Sequence, residues 1–174
     1  IENIKEHIDF CHLYGVKVYI AFNTCIKESE LISLKNYVKA AAEAGADAFI
    51  VTDIGALGIF RGSGVPLHAS TQMGIHNYEG ALMAKKLGFT RVVLARECTV
   101  EDIKAVKKAG LEVEVFVHGA LCVCFSGGCL MSSFMSGDSG NRGRCNQPCR
   151  LKYSCNGKSG YLLSEADLNM LGRI

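Results

Sequence analysis

Short apolar runs, rich in β-branched residues and each closing on a polar side chain, alternate along this chain with amphipathic helical segments. The runs are VKVYIAFN (16–23), ADAFIVTD (46–53), PLHASTQ (66–72), RVVLARE (91–97) and EVEVFVH (112–118), with YLLSEADL (161–168) as a sixth that enters a helix. Between them, apolar residues recur at helical spacing over 2–14, 29–44, 78–87 and 99–109, with a short helical turn over 54–61. Gly15, Gly45, Gly88 and Gly110 stand where the longer helices must stop. Thr99 is placed to cap the last one, with Glu101 and Asp102 in its first turn and Lys107 and Lys108 in its last, as the helix dipole favours. Alternation at roughly 20 to 30 residues per repeat requires crossover connections, hence an α/β fold with a parallel sheet. The unbroken apolar run of ADAFIVTD is what a strand buried on both faces looks like.

A doubly wound open sheet and a (β/α)8 barrel both satisfy this order. The turn after Asn23 lacks the GxGxxG fingerprint of dinucleotide-binding sheets. A barrel places its active site at the carboxyl ends of its strands. Those ends are Asn23, Asp53, Gln72, Arg96 with Glu97, and His118, all polar at the tips of apolar strands. The chain is therefore expected to be TIM-barrel-like, a partial barrel of about six βα units in one domain over 1–174, since a whole barrel takes roughly 250 residues. Beginning at Ile1 inside a helical pattern, it reads as a piece of a longer protein. Short of two strands, such a piece exposes an apolar sheet edge and is expected to self-associate.

Residues 122–149 break the pattern: CVCFSGGCLMSSFMSGDSGNRGRCNQPC holds five of the nine cysteines among glycines and serines. This Cys-rich insertion, spanning 119–160, follows the strand that ends at His118. The spacing is Cys122-x6-Cys129-x15-Cys145-x3-Cys149, with Cys124 additional and Cys155 downstream. CNQPC can put two sulfurs on one metal across a turn at Pro148, and Gly127 with Gly128 lets the other pair fold back. Four thiolates suit tetrahedral zinc or a 4Fe–4S cluster, and spacing alone does not separate them. An odd number of cysteines without an export signal disfavours a disulfide framework and points to reduced, cytoplasmic thiols. Cys11, Cys25 and Cys98 read as small core residues.

His118 is placed to act as a general acid/base or to donate to an anion; the plain alternative is a histidine bonded to a neighbouring strand. Arg96 is a natural clamp for carboxylate or phosphate, unless it only pairs with Glu97. Asp53 and Gln72 either contact a ligand or cap the next turn, and His68 and His76 read as structural. Residues 141–158 carry Arg142, Arg144, Arg150, Lys152 and Lys158 and no acid, a flap able to steer RNA phosphates or simply a solvated face. A net charge of +2 argues for neither nucleic acid nor membrane, and no apolar run is long enough to span a bilayer. There is no HExxH and no GxSxG, so hydrolysis has no motif; a cysteine nucleophile with His118 as base would leave the other grouped cysteines unexplained.

The stretch EVFVHGALCVCFSGGCLMS (114–132) resembles the signature of peptidase family U32, the collagenase-like proteases, at Glu114, Phe116, Gly119, Ala120, Leu121, Cys122, Gly127, Cys129 and Ser132. NRGRCNQPCRLKY (141–153), HASTQ (68–72), LARE (94–97) and LLSEADL (162–168) are similar to it as well. The resemblance implies a (β/α)8-like barrel and a 4Fe–4S cluster on Cys122, Cys129, Cys145 and Cys149, with zinc the alternative. It implies oxygen-independent hydroxylation of an RNA base in tRNA or rRNA, or of a related ring substrate, with a prephenate-like oxygen donor. Arg96 would hold the anionic donor or a phosphate, His118 and Glu97 would manage protons, and Asn23, Asp53, Gln72, Arg144 and Arg150 would contact substrate. The alternatives are a peptidase acting on a peptide substrate and a zinc-stabilised binding module without catalysis.

Overall fold

The computed structural model describes residues 3–119, 122, 124–161 and 168–169. Five strands, β1 (Tyr19–Phe22), β2 (Ala48–Val51), β3 (Leu67–Ala69), β4 (Arg91–Val93) and β5 (Glu112–Glu114), form one parallel sheet in the order of the sequence. Tyr19 pairs with Ala48, Phe49 with Leu67, His68 with Arg91 and Val92 with Val113. The order contains no reversal, so the sheet is singly wound and lacks the switch point of a doubly wound fold. Helices α1 (Ile4–Leu13), α2 (Leu31–Glu43), α3 (Leu57–Arg61), α4 (Tyr78–Lys86) and α5 (Val100–Lys107) alternate with the strands.

Local chemistry sets the helix ends. Asn77 caps α4 by accepting from the Gly80 amide at 2.8 Å. Thr99 and Asp102 cap α5 reciprocally, Thr99 accepting from the Asp102 amide and Asp102 from the Thr99 amide. Gly88, just past α4, has a φ of 86°, in the left-handed region that a Cβ would strain.

One face of the sheet is apolar and carries the core. Phe49, Val51, Leu67, Ala69, Val92 and Leu94 pack there against Leu34, Val38, Ala41, Phe60, Ala81, Ala84 and Val106 from the helices. Phe22, Phe49 and Phe60 meet with ring centroids 5.3 to 6.1 Å apart. Burying each such ring contributes about 1.5–3 kcal/mol, with roughly 0.5–1.5 kcal/mol more per aromatic pair.

The opposite face is apolar on β2, as the run 46–53 implies, but carries polar and charged side chains on its neighbours. The His68 ring lies edge-on to Tyr19 at 4.8 Å, and the Arg91 guanidinium sits over Tyr19 at 5.2 Å. Arg91 also bridges Glu112 at 2.6 Å and Glu114 at 3.2 Å. His68 is 4% exposed, and its Nδ1 has no hydrogen-bond partner among the described residues. Burial, then the positive charge of Arg91, lowers its pKa and keeps it neutral.

Three further expectations are corrected. The run 112–118 is not one strand: β5 stops at Glu114 because its neighbour β4 ends at Val93, opposite Glu114, and no ladder partner remains. His118 and Gly119 form a separate strand, β6 (His118–Gly119). It pairs antiparallel with the last strand, at Leu168–Asn169. Of the expected sixth strand at 161–168, the two described residues pair elsewhere, Leu168 with Gly119 and Tyr161 with Lys152. Tyr161 thus closes a hairpin of β7 (Lys152–Cys155) and β8 (Lys158–Tyr161), and 162–167 lie outside the described residues. Cys25, expected in the core, is exposed. No helix among the described residues is long and apolar enough to cross a membrane.

Candidate functional site

The cysteine loop is fastened across the carboxyl ends of the strands. Near its start, Ser126 donates its amide to Glu97 Oε1 at 2.6 Å and its hydroxyl to Glu97 Oε2 at 3.0 Å, while the Arg96 amide donates to Ser126 Oγ at 3.2 Å. These bonds outweigh the desolvation of Glu97, although desolvation is the largest single influence, and hold its carboxyl below the usual range. The next residue, Gly127, has a φ of 80°, and a Cβ there would lie 2.0 Å from the Gln72 carbonyl oxygen. Loop backbone therefore rests directly on backbone at the end of β3, a contact open to glycine alone.

Farther along, the loop is latched beyond β1. Cys25 donates its amide to the Asn141 carbonyl at 3.2 Å, and Arg142 Nη1 donates to the Cys25 carbonyl at 2.5 Å. The Arg142 guanidinium also grips Glu30 through both carboxylate oxygens, at 3.1 and 2.5 Å. The Arg142 hydrogen bond, then the Lys27 amide, draws the Glu30 pKa down to about 2.

Between these anchors the sulfurs gather. Cys124 hydrogen-bonds with Cys129, and this bond, then burial, then the neighbouring charges of Cys129, Cys149 and Cys122, push its pKa up. The Cys149 pKa is raised first by burial and then by Cys145, against a lowering pull from Arg150. Helix α6 (Met131–Ser136) supports the group: Ser132, 2% exposed, points its hydroxyl at Cys145 Sγ at 4.0 Å and accepts from the Asn146 amide at 3.3 Å. All nine cysteines are free thiols. Among the described residues, no three of His, Cys, Asp or Glu stand close enough to hold a metal ion as they are. The loop thus brings soft donors near one another, Cys124 beside Cys129 and Cys149 beside Cys145, and soft metals prefer such sulfur ligands.

The other expected site residues fall in different surroundings. Arg96 lays its guanidinium over the Phe116 ring at 4.4 Å, braced just beyond β4. Glu97 stands beside it, but both of its oxygens are engaged by Ser126. Asp53 caps a turn, accepting from the Gly55 amide at 2.8 Å and the Ile26 amide at 2.7 Å. Gln72 offers its backbone to Gly127, and Asn23 follows β1 half-buried. His118 is exposed, with its backbone paired to Asn169. Arg144 is 77% exposed beside Asp138 at 3.8 Å, and Arg150 acts on Cys149. The basic flap is thinner than its composition implies, since Arg142 is committed to Glu30. Sequence reasoning missed Glu30 and Ser126: Glu30 is not one of the apolar positions of the segment 29–44 and Ser126 is not one of the matched positions of the stretch 114–132, so each is identified only by its distant partner.

The family profile of peptidase family U32 matches residues 1–174. The chain is 39% identical to a 23S rRNA 5-hydroxycytidine synthase of Escherichia coli, over 94% of this chain and 25% of that protein. It is 39% identical to a tRNA hydroxylation protein of Helicobacter pylori (88% and 37% covered) and 38% identical to an uncharacterized protease of Methanocaldococcus jannaschii (99% and 46%). It thus spans a quarter to just under half the length of these relatives. A solved U32 peptidase shares the fold at a TM-score of 0.57 and 16% identity, over 67% of this chain and 52% of that one.

Proposed function

The chain belongs to peptidase family U32, and from that premise we propose that it forms the cluster-bearing part of an enzyme that hydroxylates an RNA base without molecular oxygen. The observation that carries the reading is the cysteine loop, gathered over the strand ends and anchored at Ser126 and Arg142. The names of the rRNA and tRNA relatives supply the substrate class. A parallel sheet in sequence order supports reading it as the arc of a (β/α)8 barrel, with the loop over the mouth of that barrel.

The donor chemistry fits a 4Fe–4S cluster on Cys122, Cys129, Cys145 and Cys149, whose sulfurs are soft and act on one another pairwise within the loop. Such a cluster supplies one-electron redox chemistry when bound. Replacing a ring C–H by C–OH is a two-electron oxidation, so the donor, a small prephenate-like organic acid, surrenders one oxygen and takes up the electron pair. Arg96, stiffened on Phe116, holds the carboxylate of that donor or an RNA phosphate. His118, exposed at the edge of the loop, exchanges the proton through its imidazole. Glu97 keeps the loop seated by its bonds to Ser126. An RNA substrate places the reaction in the cytoplasm.

A peptidase reading stands second, because relatives named as a protease and as a Porphyromonas gingivalis collagenase are also similar. The test is iron, sulfide and zinc content after anaerobic purification, beside the Cys145→Ser variant, with nucleoside mass spectrometry of RNA treated with the protein. About four irons and four sulfides per chain, diminished in Cys145→Ser, with a hydroxylated base formed, is the expected result. One zinc and no hydroxylated base overturns it, and gelatin cleavage that survives chelation would favour the peptidase.

A further inference from the structure

Helix α6 has two unlike sides. Its hydroxyl side faces the cysteines: Ser132 touches Cys145, and Ser136 Oγ accepts from Asn146 Nδ2 at 3.0 Å. On the other side Leu130 and Phe134 stand one turn apart, joined by the Phe134 amide donating to the Leu130 carbonyl at 3.1 Å, and they are 55% and 86% exposed. Phe125, 73% exposed, opens the turn that Gly128 closes just ahead of Cys129. Two bare aromatic rings within the cysteine loop serve no core.

The charge around them selects the occupant. From 119 to 161 the chain carries five basic residues and one acid, Asp138. Arg142 is occupied by Glu30, but Arg144, 77% exposed, precedes Cys145, and Lys152 and Lys158 are exposed on the hairpin beyond. Exposed rings flanked by cations suit a polyanion whose units present flat π faces. Duplex RNA hides those faces in its stack, and its deep groove does not admit side chains; unpaired bases offer them freely.

We propose that Phe134 and Phe125 form a stacking platform for unpaired RNA bases, with Arg144 contacting the adjoining phosphate, so that the loop selects single-stranded or hairpin-loop RNA over duplex. This rests on the RNA-hydroxylating reading and gives it a substrate shape. The contact is sequence-tolerant, since every base has a π face.

The test is fluorescence anisotropy of the protein, titrated with a labelled hairpin RNA bearing an unpaired loop and with the same sequence closed into a duplex. Phe134→Ala is expected to weaken hairpin binding about tenfold, Phe134→Trp to restore it, and duplex binding to stay unchanged. An unchanged unfolding midpoint for Phe134→Ala shows that the fold is intact. Arg144→Gln is expected to weaken both RNAs and to lower the salt slope by roughly 0.7–0.9. Wild-type hairpin affinity in Phe134→Ala overturns the platform, as does its conversion of a self-associated protein to monomer, which would assign the ring to a second copy. Nucleoside analysis keeps the two ideas apart. A hydroxylated base formed without dependence on Phe134 defeats the platform alone, whereas Phe134-dependent hairpin binding without product defeats the reaction alone.

Discussion

Glu97 and Ser126 meet through two hydrogen bonds, the Ser126 amide at 2.6 Å and its hydroxyl at 3.0 Å, each to a different carboxylate oxygen. A carboxylate with both oxygens so occupied is an anchor, and it joins the end of the fourth strand to the start of the cysteine loop.

Glu97→Ala is therefore expected to loosen the loop without unfolding the sheet. A lost charge-assisted pair costs about 1–3 kcal/mol locally, so opening of the loop should rise roughly tenfold or more. Hydrogen exchange at the Ser126 amide measures it, and Glu97→Gln, which keeps one acceptor, should lie between. Exchange in Glu97→Ala as slow as in wild type would count against the anchor.

The Glu30–Arg142 latch has its own pH window. The Glu30 carboxyl titrates near 2 in the folded protein, against an ordinary value of 4.5. A depressed carboxyl stabilises above the unfolded value, and that contribution is lost as pH falls from about 4.5 toward 2. Limited proteolysis within 139–145 should accelerate across that window in wild type. In Glu30→Gln it should be fast throughout, and the charge swap Glu30→Arg with Arg142→Glu should recover protection at neutral pH.

Adjacent glycines should respond oppositely to alanine. At Gly127 the new Cβ meets the Gln72 carbonyl at 2.0 Å and the backbone is left-handed; at Gly128 it would lie 3.6 Å from the Phe125 carbonyl oxygen, an ordinary contact. Gly127→Ala should displace the loop and lower metal retention severalfold under chelator challenge, with Gly128→Ala close to wild type. Equal retention in the two variants would contradict the close contact.

His68 should make the sheet acid-sensitive. Its surroundings are Arg91 and Lys17, which oppose its protonation, Glu112 and Glu114, which favour it, and the Tyr19 ring. Because burial dominates and the folded pKa lies below 6.5, the unfolded chain takes up the proton first, so stability falls as pH drops below 6.5. Thermal unfolding from pH 7 to 5 should show this fall, and His68→Gln should flatten it.

Much of the scaffold was legible because it rests on local periodicity. The helices from 29–44, 78–87 and 99–109 are found within a residue or two, and Thr99 caps as its neighbours predict. The strands were read too long, since a run such as 112–118 continues to look extended after its pairing partner has ended. Asp53 illustrates the limit at the site: a carboxylate at a strand tip reads equally as a ligand contact or as a cap, and only the fold shows it accepting from the Ile26 and Gly55 amides.

The sequence by itself determined the α/β alternation, the parallel sheet and the cysteine loop, because each is written in spacing along one chain, and it pointed to the family through the resemblance of its motifs. Only the tertiary structure decided which polar strand ends remain available to a ligand and which hold the loop in place. Glu97 with Ser126, Glu30 with Arg142 and Gly127 with Gln72 lie 29, 112 and 55 positions apart. Contacts of that reach depend on strand order and twist, which bring distant side chains together and leave no periodic mark on the chain between them.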